Sequence, residues 1–191
     1  MKINFDSYAA GSALPQGSDL LVRLSSANGQ AARVFSNPGA CGPQSEASSQ
    51  PNFAVGSPSS LSPIVLTFRS DVRPNTVSMT LISVGAAGVT VVYEDASGTV
   101  LKEERVTNAN SGNGCAKQNV VSYAADQGKQ VATIDVRGSS DGFGLDDVTF
   151  SSPTLVGTNP PASSPPVSPS SATPSPVVIT PGTTRPAGRH R

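Results

Sequence analysis

Short runs of alternating apolar and polar residues, bounded by Gly, Pro, Asn, Asp or Ser, fill the first 150 positions of this chain. In 64–68, Ile64, Leu66 and Phe68 fall on one face; in 76–83 the same spacing joins Val77, Met79 and Leu81. A period of two marks a strand with one buried face. It predicts strands over 2–6, 20–24, 32–35, 53–55, 64–68, 76–83, 89–95, 100–107, 119–123, 131–137 and 145–150. Ala96-Ser-Gly98 reads as a hairpin turn between two of them. No window shows sustained helical periodicity. Many short strands separated by turn clusters imply an all-β chain folded as an antiparallel β-sandwich.

The last strand carries the most informative residue. Regular alternation puts Gly144, Asp146, Val148 and Phe150 on one face and Phe143, Leu145, Asp147 and Thr149 on the other. Val148 and Phe150 are expected in the core, so Asp146 is expected to point inward with them. A buried carboxylate is costly unless a cation or hydrogen-bond donors meet it. A metal ion, backbone N–H groups or an arginine such as Arg137 would each serve.

Beyond residue 152 the pattern stops. Ten of the 17 prolines lie there, with no acidic and no aromatic residue. Such a segment buries too little apolar surface to offset chain entropy. The expected organisation is a β-sandwich domain over 1–152 and a disordered Pro/Ser/Thr-rich tail or linker over 153–191. The 36–62 region, rich in Ser, Pro, Gln and Gly, is expected either to shape a binding surface or to cover an open sheet edge.

Charge narrows the partners. The chain has 13 basic and 13 acidic residues; three of the basic ones are the tail arginines Arg185, Arg189 and Arg191. The domain therefore holds ten basic against 13 acidic groups, with no Lys/Arg run, so no nucleic acid partner is expected. No apolar stretch reaches 18 residues, so no membrane span is expected.

Cys41 and Cys115 both sit in turn-rich loops. If the protein is exported they are expected to pair, closing a loop worth roughly 4 kcal/mol on the chain-entropy model; two unpaired thiols are the alternative. A secreted monomer is expected, with any export signal lying upstream of Met1.

The only histidine is His190, in the tail, which removes Ser-His-Asp and Cys-His chemistry from the domain. Glu94-Asp95 and Glu103-Glu104 are adjacent pairs whose members face opposite ways. They read as a solvated hairpin edge rather than a glycosidase dyad. No enzymatic activity is expected.

Two segments carry a family likeness: Ile3-Asn-Phe-Asp-Ser-Tyr-Ala-Ala-Gly near the start and Gly142-Phe-Gly-Leu-Asp-Asp-Val-Thr-Phe150 at the end. Together with Gly56-Ser-Pro-Ser-Ser-Leu61 and Val91-Val-Tyr-Glu-Asp95, the domain resembles galactose-binding-like jelly-roll domains. These occur in carbohydrate-binding modules and in bacterial exported proteins that bear a short C-terminal sorting signal. The resemblance implies a jelly-roll topology with the first and last strands close together. It also implies a structural Ca2+ held by carboxylates from those ends: Asp146 first, Asp6 second and Asp147 as the weaker choice. It implies a carbohydrate or cell-surface polymer as partner. The chain departs from the family in having no Trp to stack on a sugar. Tyr93 shares a face with Val89 and Val91 and is expected in the core; Tyr8, in a loop, is the candidate ligand contact. A structural or adhesive spacer without a small ligand is the alternative function.

Overall fold

A computed structural model describes residues 1–36, 51–108, 117–125, 129–138 and 142–151. The alternating runs become eleven strands among them. These are β1 (Lys2–Ile3), β2 (Val22–Ser26), β3 (Arg33–Ser36), β4 (Asn52–Val55), β5 (Ile64–Phe68) and β6 (Thr76–Val84). They continue as β7 (Val89–Glu94), β8 (Val100–Val106), β9 (Lys117–Ala124), β10 (Thr133–Arg137) and β11 (Gly144–Phe150). All lie in one compact unit, Met1–Gly157. The tail expected over 153–191 lies outside the described residues, as do Cys41 and Cys115.

The strands form two antiparallel sheets. One runs β3-β4-β11-β6-β9, with β1 also paired to β11; the other runs β2-β5-β10-β7-β8. From β4 onward the chain crosses between the sheets at nearly every step. The order β4-β11-β6-β9 faces β5-β10-β7-β8, which is the jelly-roll arrangement of eight strands. Inner-face residues of both sheets, among them Leu66, Ile134, Val91, Leu81, Val121 and Leu145, merge into one core. Short β1 and β4 lie end to end against the same side of β11: Lys2 opposes Thr149, and Ala54 opposes Leu145. The first and last strands thus meet, as the family resemblance implies.

Two strands break their alternation. In β6 the register with β9 shifts between Leu81 and Val84, with Ser83 at φ 59°; in β11 the register with β6 shifts between Asp146 and Thr149, with Asp147 at φ 51°. Each is a bulge that inserts one residue and reverses the phase of the residues beyond it. Leu81 and Val84 therefore both reach the core, as do Leu145 and Val148. Asp tolerates the left-handed conformation better than most residues because its short side chain bonds locally.

This corrects the expected faces of the closing strand. Leu145, not Asp146, shares the inner face with Val148 and Phe150. Asp146 opposes Thr80, and Gly144 opposes Ile82, on the outer face of the first sheet. A second small cluster, Phe53, Val55 and Ile82, covers that face, so Asp146 is still fully buried. A Cβ at Gly144 would overlap the Phe53 ring. Five of the six phenylalanines are buried; Phe35 is half exposed and packs on Phe53 at a ring-centroid distance of 5.5 Å.

Candidate functional site

The junction of the chain's first and last strands gathers the carboxylates singled out in the sequence. Pairing of β1 with β11 sets Lys2 beside the bulge, and its Nζ lies 2.9 Å from Asp147 Oδ1. The hydrogen bond to Asp147 raises the Lys2 ammonium above its ordinary value, and the charges of Asp147, Asp146 and Asp6 add to this against a smaller cost of burial. All three predicted acids thus act on one cation contributed by the N-terminal strand. Asp147, the weaker choice in the sequence, makes the ion pair.

Asp146 is met differently. Its Oδ1 accepts the N–H of Asp147 at 2.8 Å, a bond that the bulge geometry brings within reach. Backbone N–H, one of the partners considered for it, is thus present. Arg137 is not: it lies in the second sheet, with its Nε 2.8 Å from Asp135 Oδ2. Asp6 follows β1 in a turn and accepts the N–H of Asn52 on β4 at 3.2 Å; the Asn52 side-chain amide donates to the Tyr8 carbonyl at 2.8 Å. Asn52 is nearly buried and ties the 5–8 turn to the sheet. Sequence reasoning missed Lys2 and Asn52, since neither stands out in a linear pattern.

These carboxylates are not a ready-made ligand set. Among the described residues, no three His, Cys, Asp or Glu side chains gather closely enough to hold a metal ion. Lys2 occupies the position where a cation would meet Asp147. A calcium ion requires six to eight oxygens, so the acids would have to converge and the ammonium withdraw.

Tyr8 is half-buried against the core. It lines a hollow of about 360 Å³ at the open edge between the sheets, together with Ile3, Phe5, Leu14, Val22 and Phe150. The walls are mainly apolar, so the phenol is one of few polar groups there. Tyr93 is fully buried, as its face predicted. Its ring stacks on Tyr123 at 5.2 Å and its hydroxyl donates to Glu104 Oε1 at 3.1 Å. Lys102 adds an ion pair to Glu104 at 2.9 Å and donates to the Ser122 carbonyl on β9 at 2.7 Å. Glu104 is therefore part of an ordered seam joining the sheets rather than a solvated edge. Asp95 instead closes the β7–β8 turn: its Oδ1 accepts from the Ser97 and Thr99 N–H groups at 2.8 and 3.0 Å.

No protein-family model and no curated protein matches the sequence. Among solved structures, the chain is similar to the K2 cleaved adhesin domain of Lys-gingipain. The TM-score is 0.53 at 15% identity, over 80% of this chain and 97% of that one. The likeness supports the β-sandwich fold. Among the described residues, no helix is long and apolar enough to cross a membrane.

Proposed function

We propose that this domain is a non-catalytic, extracellular binding module that recognises a glycan or another cell-surface component. The observation that carries the reading is its jelly-roll scaffold, matched over nearly the full length of a domain named as an adhesin. The domain's lack of histidine supports it, because acyl-transfer triads need that base. The scaffold's galactose-binding-like character belongs to the same proposal. The exposed part of Tyr8, at the hollow beside β1, is the aromatic surface offered to a sugar. A glycan array with calcium present tests the reading: binding to any saccharide class supports it. Silence there, with self-association in sedimentation velocity, favours an adhesive spacer instead.

Structural calcium at the strand junction is the second half of the proposal. Asp146, Asp6 and Asp147 would hold the ion, which competes with the Lys2 ammonium for the same negative charge. Lys2→Met removes the competitor. In EDTA this variant should melt below the wild type, and Ca2+ should raise its Tm more than it raises that of the wild type. Asp146→Asn should abolish both rises. Melting curves unmoved by Ca2+ in wild type and Lys2→Met alike would sink the metal.

A further inference from the structure

We propose that the outer face of the second sheet carries an anion-binding basin that takes the sulfate or carboxylate groups of an acidic polysaccharide. The inference rests on reading the chain as a binding module, but it uses a site away from the strand junction.

Three arginines from two segments, Arg23 on β2 and Arg69 and Arg73 in the loop after β5, line one hollow of about 490 Å³ with hydroxyls that include Thr67, Thr133 and Ser70. No acidic side chain lines it. The sheet register builds this floor: Arg23 on β2 opposes Thr67 on β5, which opposes Thr133 on β10. The row continues to Glu94 on β7, whose carboxylate stays outside the hollow.

The three guanidinium groups play different parts. Arg69 is fixed: it grips Asp71 with two nitrogens, Nη2 to Oδ2 at 3.0 Å, and its Nη1 donates to the Asp19 carbonyl at 2.7 Å. Arg23 and Arg73 have no ion-pair or hydrogen-bond partner among the described residues. Of the nearby carboxylates, Asp71 is engaged by Arg69 and Asp95 by its own turn, while Asp19, between the lining residues Ser18 and Leu20, adds its charge to the bracing of Arg69. Two uncommitted forks beside a braced third suit planar or tetrahedral oxyanions, which guanidinium groups bind in bidentate fashion.

A polymer fits better than a lone anion. Arg73 and Ala96 also line an adjoining hollow of about 300 Å³ that contains exposed Lys129 and one acid, Asp95, whose Oδ1 is held by the N–H groups of its own turn. A chain crossing both hollows would meet the arginines and then Lys129, and linked contacts raise avidity without any strong single one. Single-stranded nucleic acid needs exposed rings for base stacking, and the one ring in the lining, Phe68, is buried.

The test titrates the full chain with dextran sulfate, polygalacturonate, uncharged dextran and a single-stranded DNA oligomer at about 50 and about 200 mM salt. At least one of the two acidic polysaccharides should bind, more weakly at the higher salt, and uncharged dextran should not. The preferred polymer identifies sulfate or carboxylate as the recognised group. The Arg23→Gln/Arg73→Gln double variant should lose about tenfold or more in affinity with its Tm unchanged. Arg137→Gln, on the same sheet, should bind like the wild type. Equal binding of uncharged dextran, tighter binding of the DNA, or full affinity in the double variant would overturn the basin. Silence of both acidic polymers would also overturn it, while a neutral hit on the glycan array would leave the module reading standing.

Discussion

Truncating Leu145 tests the bulge on which the site depends. With unbroken alternation, Leu145 and Thr149 would share a face; with the bulge, Leu145 is a fully buried core residue and Thr149 is half-buried on the opposite side. Leu145→Ala removes three carbons, about 2.5 kcal/mol at roughly 0.8 kcal/mol per buried carbon. The cavity adds to this. Leu145 is held between Leu81 on β6 and Ala54 on β4, both without solvent exposure, so the surroundings have little room to collapse. A loss of about 4 kcal/mol is expected, corresponding to roughly 10 °C in Tm for a domain of this size. Thr149→Ala removes one long hydrogen bond, to the Ser78 carbonyl at 3.3 Å, and should cost about 1 kcal/mol or less. Urea unfolding followed by far-UV circular dichroism measures both, with m unchanged. Similar losses from the two variants, or less than about 1 kcal/mol from Leu145→Ala, would refute the reversed phase and with it the outward placement of Asp146.

The packing sets two further outcomes. Burial, reinforced by the Glu104 carboxylate, pushes the Tyr93 phenol well above its ordinary value of 10.0. The unfolded chain releases that proton near pH 10 while the folded one retains it, so stability present below pH 10 is lost as pH rises further. Tyr93→Phe should flatten this alkaline decline in urea midpoints while costing about 1 kcal/mol at neutral pH for the lost hydrogen bond; an unchanged alkaline slope would count against the buried phenol. Gly138→Ala should lower stability by about 1–3 kcal/mol, because its methyl would overlap the buried Phe143 ring; a Tm equal to wild type would show that the ring moves aside without cost.

The candidate site was half legible in the sequence. Burial of Asp146 was expected, but from a face shared with Val148 and Phe150, whereas it is the cluster of Phe53, Val55 and Ile82 on the other face that buries it. Its face was not: one inserted residue reverses the phase, and nothing in Leu-Asp-Asp-Val says which aspartate takes the left-handed turn. The meeting of the two ends came from resemblance rather than from pattern. Lys2 looked like the polar position of an ordinary strand and acquired its role only when β1 paired beside the bulge. The same holds for Arg23, far in sequence from Arg69 and Arg73 and brought beside their loop by the pairing of β2 with β5.

What the amino-acid order determined by itself is local. Alternating Val, Ile, Leu and Phe specify extended segments with a buried side, and turn residues punctuate them, since both effects act within a few bonds. The absence of a catalytic histidine from the domain is likewise a fact of composition. Tertiary structure decided which strands are neighbours, where the ladder slips by one residue, and which charges come face to face. Those outcomes depend on contacts between residues as far apart as Lys2 and Asp147, whose energies arise only once the sheets have closed around them.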